Sequence, residues 1–232
     1  MIRVILIDDE RLARAEMRYL LAPYHDIEIV DEAALASVAI EKINLIKPDV
    51  IFLDISLPSA TGFDVLMACA FTPEVVFVTA YDEFAIRAFE ENAIDYLQKP
   101  VRQERLDKTM AKIRKTLDIN KSQSVLDEKI FIKDGQKCYF IAFKDISHIT
   151  ALGNYAKFHF GHNNCLLHQS LKKLEQRLPA DHFIRANRQE IININFIKTT
   201  KWEQEQLSVV LLNGVEILFS ERNSTLFRNR FK

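Results

Sequence analysis

Over the first 117 residues, short apolar runs alternate five times with amphipathic segments, and this pattern narrows the fold more than anything else in the chain. Arg3–Asp8, Ile27–Val30, Val50–Leu53, Val75–Val78 and Ile94–Leu97 read as strands. The segments between and after them predict helices over 10–21, 35–46, 63–70, 82–91 and 102–117. In the last of these, Leu106, Met110, Ile113 and Leu117 recur at helical spacing on one face. Five βα units of this length predict an α/β domain, a doubly wound parallel sheet with helices on both faces. Ligands of such sheets bind at the carboxyl ends of the strands.

Charged and polar residues stand at those ends. The first strand runs into Asp8-Asp9, the third into Asp54, the fourth into Thr79, and the fifth leads to Lys99-Pro100. A carboxylate at the mouth of a buried strand is costly unless it is paired or holds a metal. In a parallel sheet these ends share one edge, so three carboxylates, a hydroxyl and an ammonium converge there. Three clustered carboxylates resist joint ionisation, and Mg²⁺ suits an all-oxygen site that keeps several waters. Lys99 and Thr79 would then hold an anion attached at Asp54, which makes Asp54 a nucleophilic phosphoryl acceptor. Taken singly, Asp8-Asp9 reads as a solvated acidic loop, Thr79 as a helix cap and Lys99 as a surface charge. Their joint occurrence, each at a strand end and in this order, favours the site.

The stretch "DINKSQSVLDE" is polar and aperiodic, so the expected organisation is a first domain over 1–118, a linker over 119–128 and a second domain over 129–232. The second domain is β-rich, with strands expected at 129–133, 138–142, 146–151, 155–160, 165–167, 207–212 and 215–219 and turns at "KDGQ", "GHNN" and "LNGV". A helix is expected at Leu171–Leu178 and another at Asn223–Phe231. The halves differ in charge. Residues 1–118 carry 14 Lys and Arg against 21 Asp and Glu, whereas residues 119–232 carry 17 against 11. That asymmetry suits cationic partners for the first half and polyanions for the second. The chain has no apolar run long enough to span a membrane, its start lacks the marks of a signal peptide, and its three cysteines lack a CxxC spacing. A cytoplasmic protein with reduced thiols is expected.

Residues 1–118 resemble the receiver domain of bacterial two-component response regulators. The resemblance rests on Asp8-Asp9, Asp54 with Pro58 four residues later, Thr79-Ala80 and Lys99-Pro100. It implies that Asp54 is phosphorylated by a sensor histidine kinase. It further implies that Asp9, Asp54 and the backbone carbonyl of Ser56 bind Mg²⁺, with Asp8 reaching the metal through water. Thr79 and Lys99 would contact the phosphoryl oxygens, and Tyr96 would be the aromatic that turns inward on activation. The Lys99–Pro100 bond would be cis, and a homodimer would form on phosphorylation through the 82–91 helix, the strand after it and the last helix. Residues 129–232 resemble the LytTR DNA-binding domain, a compact β-sandwich with helical pieces. This second resemblance rests on "IAFKDISHITALGNYAKFHF", "SLKKLEQRLPADHFIRANRQEIININFI" and "EILFSERN". It places DNA contacts in three loops, at Asn154 and Tyr155, at Asn187 and Arg188, and at Arg222 and Asn223. Lys157, Lys198, Lys201, Arg228 and Arg230 are candidate phosphate contacts. Asn187-Arg188-Gln189 departs from the family's common His-Arg-Ser.

The function expected is therefore a response regulator that binds double-stranded DNA and acts as a transcription factor, not as an enzyme. Two rival functions are distinguishable from this one. A phosphohydrolase of the haloacid-dehalogenase type needs an aspartate two residues after the nucleophile, where this chain has Ser56. A protein- or RNA-binding output is discriminated by salt-sensitive binding to a defined duplex. His159, His162, Cys165 and His168 recur every three residues, but strand alternation points them different ways and argues against a zinc site.

Overall fold

The computed structural model describes residues 1–80, 93–120, 125–135 and 137–231. It divides into two compact units, Met1–Ser124 with Lys129–Phe140, and Val125–Glu128 with Ile141–Lys232.

The first unit contains β1 (Ile2–Ile7), α1 (Arg11–Leu21), β2 (Ile27–Ala33), α2 (Ala36–Ile46) and β3 (Val50–Leu53). A two-residue hairpin follows, β4 (Ser56–Leu57) with β5 (Ala60–Thr61), then α3 (Gly62–Ala68), β6 (Glu74–Thr79), β7 (Asp95–Gln98) and α4 (Gln103–Asn120). The helix expected over 82–91 lies outside the described residues. The main sheet has the order β2-β1-β3-β6-β7 and is parallel throughout. The apolar runs are continuous because both faces are covered, and successive residues alternate between two cores. Ile5, Ile7, Ile51, Leu53, Val75, Phe77 and Tyr96 face one core. Val4, Leu6, Val50, Phe52, Val76, Val78 and Leu97 face the other, with Leu106, Met110 and Ile113 of α4. The chain order reverses at β1, which neighbours both β2 and β3, and this creates the crevice where such folds place a ligand.

α3 starts in a capping box. The Asp64 amide donates to Thr61 Oγ1 at 3.2 Å, and the Thr61 amide donates to Asp64 Oδ2 at 2.7 Å. The last helix is fastened by Asp95, a buried carboxylate at the start of β7. Arg105 donates to both of its oxygens at 2.6 Å, Thr109 to Oδ2 at 2.7 Å and Lys112 to Oδ1 at 2.9 Å. Burial pushes this carboxyl up, but those hydrogen bonds outweigh it and hold it far below the usual carboxylate range. A depressed carboxyl stabilises the fold above its unfolded pKa of about 4 and ceases to do so as the pH falls further. Asp95→Asn is expected to cost about 1–3 kcal/mol at pH 7, the worth of hydrogen bonds to a charged group. In chemical denaturation, the gap between parent and variant should narrow between pH 5 and pH 3. A gap that is constant with pH would show that the ionised carboxylate is not what fastens α4.

The strands expected at 129–133 and 138–142 form an antiparallel hairpin, β8 (Lys129–Asp134) with β9 (Lys137–Ala142). Lys129–Phe140 groups with the first unit, because Phe131, Cys138 and Phe140 are buried in the same core as Phe63 and Phe77. The 3-10 turn Val125–Asp127, in the expected linker, groups with the second unit, where Lys144 Nζ meets Asp127 at 2.6 Å.

The second unit is mainly β, as expected. One antiparallel sheet joins β10 (Ile146–Leu152), β11 (Tyr155–Phe160), β12 (Asn163–Leu167), β13 (Phe183–Arg185) and β14 (Glu190–Asn193), and the one-turn helix α5 (Leu171–Leu174) lies between β12 and β13 in the chain. A three-stranded sheet contains β15 (Ile197–Glu203), β16 (Gln206–Leu211) and β17 (Glu216–Leu218), and α6 (Glu221–Arg230) ends the unit. Ala186 and Ile192 of the first sheet region pack with Leu207, Val209, Leu211, Ile217 and Phe219 in one core, which makes the two sheets a sandwich. Buried Asn193 donates to the carbonyls of Phe143 and Ile146 at 3.2 and 3.0 Å, so its amide is satisfied. Among the described residues, no helix is long and apolar enough to cross a membrane.

Candidate phosphoacceptor site and nucleic-acid interface

Backbone hydrogen bonds carry the parallel ladder one residue past the strand ends. Asp8 donates to Ala33 O at 3.0 Å, Asp54 to Ile7 O at 2.8 Å and Lys99 to Thr79 O at 2.9 Å. Asp8, Asp54, Thr79 and Lys99 are thereby set along one edge, and the Lys99–Pro100 peptide is cis. Asp8, Asp54 and Thr79 are buried, whereas Asp9 is exposed. Lys99 Nζ lies between the two buried carboxylates, 2.7 Å from Asp8 Oδ2 and 2.6 Å from Asp54 Oδ2. Their other oxygens accept backbone amides, Glu10 N on Asp8 and Ser56 N on Asp54, each at 3.0 Å. Arg14 braces the first loop by donating to Asp8 O at 2.7 Å.

Burial pushes the Asp8 carboxyl above its ordinary value, and the hydrogen bonds from Lys99 and Glu10 do not fully offset it. Burial also pushes the Lys99 ammonium down, but Asp54 and Asp8 outweigh it, so its pKa ends above the usual lysine value. One ammonium faces three carboxylates whose oxygens lie within 4.8 Å of one another. Two negative charges are left over. An all-oxygen set with that excess fits a hard divalent cation such as Mg²⁺. Among the described residues this is the cluster suited to a metal. His159 does not join His162, Cys165 and His168; its ring stacks on that of His148 at 4.0 Å, and Cys165 is buried. Tyr96 is buried in the core beside Phe77.

In the second unit, main-chain and side-chain bonds draw the three predicted loops to one end. The Ala151 amide donates to Gln189 O at 2.7 Å, joining the turn that holds Asn154 to the loop of Asn187 and Arg188. Asn187 Nδ2 donates to Leu218 O at 2.8 Å and to Glu190 Oε2 at 2.7 Å, and its Oδ1 accepts the Gln189 amide at 2.8 Å. Asn223 Nδ2 donates to Ala186 O at 3.2 Å, which ties the start of α6 to the same loop. Both asparagines, expected from the sequence as base contacts, thus spend their amides inside the protein. Arg188 and Arg222 are exposed, and Tyr155 is exposed with its ring 5.0 Å from that of His168. A groove of about 780 Å³ is lined by Lys172, Arg185, Arg188, Arg222 and Arg230 together with the two asparagines. Local sequence does not single out Lys172 or Arg185. Arg185 shapes the loop by donating to the carbonyls of Asn187 and Arg188. Lys201 lies off this groove, on β15. It is paired through Ser208 to Leu218, two strands over, and its ammonium meets Glu203 at 2.5 Å.

Residues 4–111 match the response regulator receiver domain family, and residues 136–232 match the LytTr DNA-binding domain family. The chain is 34% identical over 233 residues to the transcriptional regulatory protein BtsR of Escherichia coli K12, covering 96% of this chain and 95% of that one. The chain belongs to the LytTR-class response regulators. It is also 31% identical to the sensory transduction protein LytT of Bacillus subtilis, covering 94% of this chain and 93% of that one. Among solved structures it is similar to the response regulatory domain of mrkE from Klebsiella pneumoniae, at 32% identity and a TM-score of 0.46, covering 51% of this chain and 99% of that one. As a response regulator of this class, it pairs a receiver domain with a DNA-binding domain and regulates transcription.

Proposed function

We propose that Asp54 accepts a phosphoryl group from a sensor histidine kinase, and that this drives pairing of two copies on a two-part DNA site in the cytoplasm. The observation that carries the reading is the Lys99 ammonium held 2.6 Å from Asp54 and 2.7 Å from Asp8, beside exposed Asp9. An Asp54 carboxylate oxygen attacks phosphorus, an O–P bond forms, and the bond from phosphorus to the donor breaks. Asp9, Asp54 and the Ser56 carbonyl would hold Mg²⁺, with Asp8 reaching it through water. That cation, when bound, screens the charge of the incoming phosphoryl oxygens. Lys99 exchanges a carboxylate for a phosphoryl oxygen, and the Thr79 hydroxyl donates to another. Tyr96 is the switch aromatic. The chain stores the phosphoryl group as a signal, which is a different task from turnover of a substrate.

On DNA, exposed Arg188 and Arg222 read base edges from the basic groove, while Asn187 and Asn223 hold the loops that present them. Asn154 and Tyr155 contact the duplex from the adjoining turn. Lys201, on the neighbouring sheet, gives up Glu203 for phosphate. Pairing two copies raises affinity by effective concentration without any new contact.

Duplexes selected from a random pool by the protein treated with a small phosphodonor and Mg²⁺ test this reading. Binding should be tighter after phosphorylation and should weaken steeply with salt. Equal affinity for every duplex would favour a protein- or RNA-binding output. Lys201→Ala should lower the slope of log affinity against log salt by about 0.9, without altering sequence preference. An unchanged slope would remove Lys201 from the interface.

A further inference from the structure

The hairpin β8–β9 enters the core of the first unit by its apolar face. Phe131 is fully buried. Its ring stacks on Phe63 at 6.2 Å with planes 12° apart, and Phe140 meets it edge-on at 4.9 Å. Phe63 contacts Phe77 at 5.2 Å, and Phe77 stands opposite Tyr96 across β6 and β7. The hairpin is also held from its rim. Lys129 Nζ pairs with Glu74 at 3.0 Å, Thr72 and Lys129 form a backbone bridge, and Lys133 Nζ lies 5.4 Å from the Phe63 ring centre.

The other end of this aromatic run abuts the phosphoacceptor. Gly62, one residue before Phe63, leaves no space for a side chain. A Cβ there would stand 2.5 Å from the Asp54 carbonyl oxygen and 3.0 Å from Leu53 Cγ. The Gly62 amide donates to Ile55 O at 2.9 Å. The Asp54 peptide and the first turn of α3 are therefore packed so closely that one cannot shift alone. At its far end, β9 runs without a break through Ile141 and Ala142 into the second unit.

We propose that the hairpin 129–140 is a strap that reports the state of Asp54: phosphorylation displaces the Gly62–Phe63 start of α3, unseats Phe131 and loosens the strap from the first unit. The inference rests on the reading of Asp54 as phosphoacceptor and adds the route by which its state reaches the output domain. Densely packed rings respond to a small displacement by switching between discrete arrangements. The strap enters that core by three side chains, Phe131, Cys138 and Phe140, and adds a few rim contacts, so it opens more easily than the central sheet unfolds.

Hydrogen exchange of the full-length chain, with and without acetyl phosphate and Mg²⁺, tests the proposal. Intact mass measured on the same samples reports phosphate uptake. Exchange in peptides covering 129–140 is expected to rise about tenfold on phosphorylation, within the usual span of coupling between sites. Phe131→Ala should raise exchange in the unphosphorylated chain and abolish the response, while phosphate uptake stays at the parent level. If that variant does not fold, Phe131→Leu and Lys129→Ala carry the same test with smaller changes, and each should reduce the difference between the two states. Full phosphate uptake with hairpin exchange unchanged or slowed overturns the strap. Absence of phosphate uptake in the parent overturns the Asp54 reading, and the strap falls with it.

Discussion

Asp54→Asn is expected to take up no phosphate from a small-molecule phosphodonor in the presence of Mg²⁺. The amide keeps the size of the carboxylate and can still accept the Ser56 amide hydrogen through its oxygen, as Asp54 does at 3.0 Å. It lacks the charge that makes the carboxylate a nucleophile and that helps to neutralise a divalent cation. The variant should fold, because Lys99 keeps Asp8 at 2.7 Å as a partner. Intact mass decides the matter, and undiminished uptake would refute the assignment. Asp9→Ala separates the metal from the nucleophile. Asp9 is exposed, so its removal should leave the fold intact while Mg²⁺ affinity and phosphorylation rate fall together. Equal Mg²⁺ affinity in variant and parent would take Asp9 out of the metal site.

Arg188→Ala is expected to cost about 1–3 kcal/mol of DNA affinity and to relax preference at one base position, the worth of a bidentate contact to guanine. Arg188 is suited to this because its loop is fixed from three directions. Asn187 ties it to Leu218 O, Asn223 of α6 holds it by donating to Ala186 O, and Arg185 caps the carbonyls of Asn187 and Arg188. A guanidinium carried on a fixed loop loses less freedom on binding than one on a mobile loop. Asn187→Ala should fail in a different way, weakening all sequences alike, because it removes a loop support and leaves Leu218 O and Glu190 without their donor. Titrations over single-base variants of a selected duplex separate the two outcomes. Unchanged sequence preference in Arg188→Ala would demote that residue to a phosphate contact.

The receiver half was legible because its periodicity and its site are both local. A strand buried on both faces must be an unbroken apolar run, so Val50–Leu53 declares itself, and so does the residue that ends it. Parallel pairing then brings Asp8, Asp54, Thr79 and Lys99 to one edge, without any knowledge of long-range packing. The output half was less legible. The strands Phe183–Arg185, Glu190–Asn193 and Ile197–Glu203 are not among those the sequence predicts. Ile197–Glu203 is an edge strand with all but its first residue exposed, so it carries no alternation of apolar and polar residues to read. The two-residue strands β4 and β5 are too short to leave any pattern.

The amino-acid order by itself determined the parallel sheet and the acidic pocket, since these follow from periodicity and from residue type at the strand ends; the three loops of the output domain are what the resemblance to the LytTR family implies. Tertiary structure alone decided that Lys99 bridges Asp8 and Asp54, that Asn187 and Asn223 turn inward while Arg188 and Arg222 stay exposed, and that Phe131 seats the hairpin beside Phe63. The physical reason is range. Strand and helix patterns come from neighbours within a few residues, whereas the direction of a loop amide, the partner of a buried ammonium and the seat of a hairpin are chosen by residues far along the chain, 31 positions apart for Asn187 and Leu218 and 45 for Lys99 and Asp54.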